Sequence, residues 1–203
     1  RSKEIIVSMF TFAFLVMVVF NFAFELKVDN LAALSPGILW VAFIFAGVLG
    51  LSRSFIIEKD RGSLEGLMLA PVDRSAIYLG KLTSNMVFML AVEGMMLPIF
   101  AALYNAPALD LYVLLVVFLG TLGFAAVGTL FSAVAVNTRI RETMMPVLFL
   151  PVVIPVVIAA VKFTEAAMQG KSAPSMPWIN LLLVFDAVFL ALSFLAFEYV
   201  VEE

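Results

Sequence analysis

The sequence predicts an all-α polytopic membrane protein with six transmembrane helices, and three observations predict it. Hydrophobic residues make up 64% of the chain and the mean hydropathy is +1.14, well above the roughly half-apolar content of globular domains. Six stretches each reach the about 20 apolar residues that a helix needs to cross a hydrocarbon core ~30 Å thick. Charged residues are only 13% of the chain, and most of them fall between those stretches.

The first span runs from Ile5 to Phe24, flanked by Arg1, Lys3 and Glu4 before it and Glu25, Lys27 and Asp29 after it. The second runs from Ile38 to Ile57. It carries Ala42, Ala46, Gly50 and Ser54 at four-residue spacing, a small-residue stripe that lets another helix approach closely in lipid. The third runs from Ile77 to Leu103, with Glu93 inside it and Pro98 expected to kink its far end. The fourth, Leu111 to Val136, repeats the small stripe at Thr121, Ala125, Thr129 and Ala133 and also holds Gly120, Gly123 and Gly128. The fifth, Met144 to Val161, contains Pro146, Pro151 and Pro155, which argues against a straight rod. Lys162 to Pro177 is too short and mixed to cross a bilayer, and reads as a surface loop or a shallow re-entrant hairpin. The sixth span, Trp178 to Phe197, opens on an interfacial aromatic anchor and encloses Asp186. All six belong to one transmembrane domain over residues 1–203. Since the chain opens on Arg1 rather than Met, residues upstream of it are expected.

Composition narrows the chemistry. With no Cys and no His, the chain has no disulfide framework, no thiolate, no imidazole base and none of the commonest metal ligand. A net charge of −3 provides no basic patch for nucleic acid. Gly170-Lys171-Ser172 resembles the end of a phosphate-binding loop, but Glu165 stands where the first glycine of that loop belongs. No catalytic, metal or resident cofactor site is expected.

The stretch between the second and third spans is the most informative. Ser52 to Lys81 holds nine of the 27 charged residues. Within residues 58–76, Leu64, Leu67, Met68 and Pro71 share one face of a short helix at i, i+3, i+4 and i+7, while Arg61 and Glu65 can pair on the other. Pro71 breaks that helix and Asp73 is placed to cap the next. Such a surface helix either seals a hairpin at the interface or docks a cytosolic partner.

Lys and Arg set the orientation. Nine of the 12 lie on one side, Arg1 and Lys3 at the start and seven in the segments 58–76 and 137–142 and their flanks, and only Lys27, Lys162 and Lys171 lie opposite. The positive-inside rule puts both termini in the cytoplasm. Glu93 and Asp186 are the acids deepest in apolar sequence. A carboxylate at that depth is costly, so each lines a cavity, carries protons or meets a partner, unless it reaches an interface or a hydrogen bond between helices.

Three stretches together resemble the membrane subunits of type-2 ABC exporters, and within them the CcmB family of haem exporter permeases. They are residues 58–81, Asn137-Thr-Arg-Ile-Arg-Glu142, and the proline-rich run Pro146 to Pro155. The resemblance implies a non-catalytic permease of the bacterial inner membrane, without enzymatic residues of its own. It further implies that the surface helix inserts into a separate ABC ATPase, the A-type cytochrome c maturation protein, which holds the ATP and Mg. On this sequence the ATPase-coupling residues would be Glu58, Arg61, Leu64, Glu65, Leu67, Met68 and Arg74, with Arg139, Arg141 and Glu142 on the same face. A second copy of the chain, the C-, D- and E-type maturation proteins, membrane lipid and haem as substrate complete the implied assembly. Its work would be haem export or release of the haem-loaded chaperone. Other readings of the same spans are a type-2 permease for a lipid, glycan or drug, a non-transporting scaffold, and an ion-coupled secondary carrier using Glu93 and Asp186.

Overall fold

A computed structural model describes residues 2–25, 31–60, 73–136, 141–170 and 176–200 of the chain. Among them are six helices: α1 Ser2–Glu25, α2 Leu31–Asp60, α3 Arg74–Tyr104, α4 Leu111–Val136, α5 Arg141–Met168 and α6 Met176–Val200. All six are long and apolar enough to cross a membrane, so the chain is a polytopic all-α membrane protein. The surface segment and Arg61, Leu64, Glu65, Leu67, Met68 and Arg139 lie outside the described residues.

The bundle forms around α4, which packs against α2, α3, α5 and α6, while α1 lies on the outside against α2 and α3. From Leu119 to Ala133 no residue of α4 is exposed. Helices on the periphery bury only one stripe. On α1 the stripe is Ile5, Met9, Ala13, Met17 and Asn21, and on α6 it includes Leu182, Asp186, Ser193 and Phe197. Their other faces present Val7, Leu15, Val19 and Phe22, and Val184, Val188, Leu192 and Leu195, which is the surface a lipid-facing helix should have.

Small residues bring the helices together as the stripes predict. Thr121, Ala125, Thr129 and Ala133 are all buried, as are Ala42 and Ala46. Met9 of α1 sits on Gly50, and the Phe124 ring lies 2.6 Å from where a Cβ on Gly47 would be. Leu51 of α2 and Phe149 of α5 likewise close on Gly128.

These pairings fix the direction of each helix. Glu93 meets Thr121 and Asn85 meets Thr129, so α3 runs antiparallel to α4. Trp40 meets Gly120, Phe124 meets Gly47 and Leu51 meets Gly128, so α2 runs parallel to α4. The end of α2, the start of α3, the end of α4 and the start of α5 therefore share one end of the bundle. Met9 beside Gly50 and Phe197 beside Tyr78 bring the start of α1 and the end of α6 to that end too.

Two expectations are corrected. Helix α5 continues to Met168, so Lys162 to Met168 is neither loop nor re-entrant hairpin, and only 169–175 are left to connect α5 to α6. The polar residues there do not interrupt the helix. Lys162 pairs with Glu165 one turn away at 3.0 Å, and Thr164 donates to the Ala160 carbonyl at 2.7 Å. Asp73 does occupy the N-cap of α3, but its side chain makes no capping bond. Its backbone carbonyl instead accepts from the N–H groups of Ala76 and Ile77. The prolines of α5 leave it a continuous helix, and Pro151 and Pro155, four apart, both lie on its exposed face.

Candidate functional site

One turn of α4 gathers side chains from four other helices. At Gly120 the indole of Trp40, from α2, lies where a side chain would otherwise be, with Cζ3 2.8 Å from a Cβ position. At Thr121 the carboxyl of Glu93, from α3, receives the hydroxyl, with Oγ1 2.9 and 2.8 Å from its two oxygens. At Gly123 the carboxyl of Asp186, from α6, makes the close approach, beside Phe185 and Val156 of α5. Only glycine leaves room for the first and third of these contacts.

Residues 121 and 123 are about 200° apart around a helix and about 3 Å apart along it. The two acids therefore flank α4 on opposite sides at nearly the same depth. Both are buried, Glu93 at 6% exposure and Asp186 at 4%. Their surroundings differ. Glu93 has the Thr121 hydroxyl, which carries a single hydrogen and so satisfies one oxygen at a time. Beside it a cavity of about 10 Å³ opens between Trp40, Met89, Glu93, Gly120 and Phe124, roughly the volume that admits one water. Asp186 has no hydrogen-bond partner on either oxygen among the described residues.

Further polar contacts hold this turn in register. Trp40 Nε1 donates to Thr164 Oγ1 at 2.9 Å and thereby ties α2 to α5 across Gly120. Asn85 Nδ2 donates to Thr129 Oγ1 at 3.0 Å, and the Tyr78 hydroxyl donates to the Ala126 carbonyl at 3.2 Å. On the far side, Asn21 donates to the Leu103 carbonyl and Tyr104 to the Met17 carbonyl, fastening α1 to α3. The asparagines thus serve helix packing, and Asn180 is exposed.

Removing the Thr121 hydroxyl tests how much Glu93 depends on it. Thr121→Val keeps the volume and strands the carboxyl, and is expected to cost about 1–3 kcal/mol in the unfolding of the detergent-solubilised protein. Glu93→Gln, which still accepts from the hydroxyl, should cost less. Equal losses from the two would show that the bond contributes nothing.

The sequence-expected site residues divide into two groups. Glu93 and Asp186 come together around α4. Of the coupling set, Glu58 lies in the last turn of α2, Arg74 is the half-buried first residue of α3, and Arg141 and Glu142 open α5. Helix directions bring all four to one end of the bundle, although the side chains of Glu58, Arg141 and Glu142 lie outside the described residues. Sequence reasoning missed Trp40, Thr164 and the role of Thr121 as donor to Glu93. The signals were a tryptophan in the middle of an apolar span, and the eight-residue spacing shared by Asn85 with Glu93 and Thr121 with Thr129.

A larger cavity of about 230 Å³ lies at the opposite end, lined by Ser35, Pro36, Asn105, Pro107, Glu165 and Gln169 among others. It falls below the about 300–1,000 Å³ of typical small-molecule sites. Among the described residues no group of three or more Asp or Glu could hold a metal ion.

Comparison with known proteins agrees with this architecture. The family model for the CcmB protein matches residues 1–203. Heme exporter protein B of Pseudomonas aeruginosa is 30% identical over 167 residues, which cover 81% of this chain and 75% of that protein. The protein of the same name from Rhodobacter capsulatus is 29% identical over 148 residues, covering 70% and 66%. That from Haemophilus influenzae is 28% identical over 176 residues, covering 86% and 78%. A match along the whole length, on a chain of six membrane-crossing helices, makes this protein a member of the CcmB family.

Proposed function

We propose that this chain is the membrane permease subunit of an ATP-driven ABC transporter that handles haem in cytochrome c biogenesis. The observation that carries the reading is topological. The flanks of the 58–76 segment and of the 137–142 turn converge on one end of the bundle, together with the start of α1 and the end of α6. The helix directions thus present two charged connections to one compartment, and the nine of 12 Lys and Arg on that side support its being the cytoplasm. The name shared by the curated relatives, heme exporter protein B, supports haem as the cargo.

In this reading the chain has no catalytic residue. The surface helix enters a groove of the A-type ATPase with Leu64, Leu67 and Met68 as its apolar face. Glu58, Arg61, Glu65, Arg74, Arg139, Arg141 and Glu142 form the polar contacts around it. ATP and Mg bind to that ATPase. Closure of two ATPase subunits pushes on two copies of this chain, and the force reaches the membrane through α2 and α3, which continue directly from the surface segment. Because α4 is enclosed by α2, α3, α5 and α6, displacement of α2 and α3 must shift their contacts at Gly120 and Thr121. The assembly, with the C- and D-type proteins in the inner membrane, either exports haem or releases the haem-loaded E-type chaperone.

The test is recovery of the detergent-solubilised chain from its native membrane with its partners, identified by mass spectrometry. An ABC ATPase together with cytochrome c maturation proteins is the expected result. An ATPase with unrelated partners would keep the permease and remove haem. Recovery without any ATPase, under conditions that preserve other membrane complexes, would overturn the reading.

A further inference from the structure

The carboxyl of Asp186 is 4% exposed, on the buried stripe of a helix that crosses the membrane, and neither oxygen has a hydrogen-bond partner among the described residues. At the Gly123 position of α4, where the carboxyl makes its close approach, the other neighbours are apolar: Val156 of α5 and Phe185 of its own helix. Of the buried polar groups of α3, Asn85 is bonded to Thr129 of α4 and Tyr78 to the Ala126 carbonyl. Glu93 is bonded to Thr121 on the opposite flank of α4, and Tyr78 is near Phe197, three turns along α6. An ionised carboxylate sealed in this way, without donor or cation, is among the costliest states a membrane protein can hold.

We propose that Asp186 is a proton-binding site, loaded while α6 lies on Gly123 and emptied when the two helices part. A proton is the cation this place can take, because it needs no ligand shell where the carboxyl already abuts the α4 backbone. Binding converts the carboxylate and one proton from water into a neutral acid. Release returns that proton to whichever aqueous side wets the opened face of α6. Movement of α6 relative to α4 is thereby tied to proton uptake and loss. The inference depends on the packing of α6 and α4 and not on the transported cargo or the ATPase.

The test is infrared spectroscopy of the purified full chain in lipid nanodiscs, with and without 13C-labelled aspartate. The C=O stretch of a protonated carboxyl is separate from the carboxylate bands, and the label shifts only aspartate. A protonated aspartyl band is expected in the wild-type protein and in Glu93→Gln, and its loss in Asp186→Asn. Gly123→Ala, which forces the carboxyl off the helix, should transfer intensity from that band to the carboxylate region. The label marks the band as aspartyl, and its loss in folded Gly123→Ala assigns it to Asp186 among the five aspartates even if Asp186→Asn fails to fold. Absence of a label-sensitive protonated band from the wild type, or its persistence unchanged in folded Asp186→Asn or Gly123→Ala, overturns the proposal.

Discussion

Aspartate in place of Leu67 is expected to abolish co-purification of the ATPase while leaving the six spans inserted in the membrane. The physical reason is the apolar face on which the sequence pattern is expected to place Leu67, with Leu64 and Met68. In the proposed complex this face is removed from water by the groove that receives it. A carboxylate placed there would lose its hydration without gaining a partner, a cost of about 3–5 kcal/mol for an uncompensated buried charge. That is roughly a hundredfold or greater loss of affinity per surface helix, since ~1.4 kcal/mol corresponds to a factor of ten. In the proposed assembly with two copies of this chain, the penalty applies twice. Leu67→Met, which keeps the apolar volume, should retain the ATPase. The measurement is the amount of ATPase recovered with the tagged chain, beside its insertion into membranes. Undiminished recovery with Leu67→Asp would remove the docking role from this segment.

Leucine at Gly120 is expected to be the most disruptive single change within the membrane. Its Cβ would lie 2.8 Å from Trp40 Cζ3, nearer still to Cη2, and the rest of the side chain would have to displace the indole. Trp40 cannot swing away freely, because its Nε1 is bonded to Thr164 and its ring packs edge-on against Phe43. Overpacking of this kind costs about 1–3 kcal/mol, and a lost buried hydrogen bond about 1 kcal/mol more. The same residue at Gly94 or Gly80, where a Cβ meets nothing within 4 Å, provides the control. Thermal unfolding of the solubilised protein should show a large loss for Gly120→Leu and little for Gly94→Leu. Similar losses for both would mean that the α2–α4 contact does not limit stability.

How far the sequence could be read depended on how local each cause was. The six spans were legible because every segment crossing ~30 Å of hydrocarbon must be apolar along its own length. The small stripe on α4 was legible for the same reason, since close approach needs small residues wherever the partner comes from. What meets the stripe was not, because matching Glu93 with Thr121 and Asn85 with Thr129 requires the register of two helices. The end of α5 was misjudged for another reason. Lys162, Thr164 and Glu165 look like a break, but Lys162 and Glu165 neutralise each other one turn apart, and Thr164 bonds back to Ala160. Near a helix end, polar side chains satisfied within the helix do not terminate it. Glu93 and Asp186 stood out as acids in apolar sequence, but their arrangement on two sides of one helix follows only from the glycines and threonine of α4.

The enclosure of α4 has a consequence for how the protein is made. A ribosome delivers the helices in order, and α4 enters the membrane before α5 and α6, with which it shares much of its surface. Until they arrive, Gly123 and Gly128 lie open on a flank that lipid chains fill poorly. The nascent chain must wait in this half-clad state, and α6 brings the acid that closes it. Chains cut short after α4 should therefore be held by insertion chaperones or destroyed by membrane proteases, whereas insertion of α5 and α6 should relieve that retention.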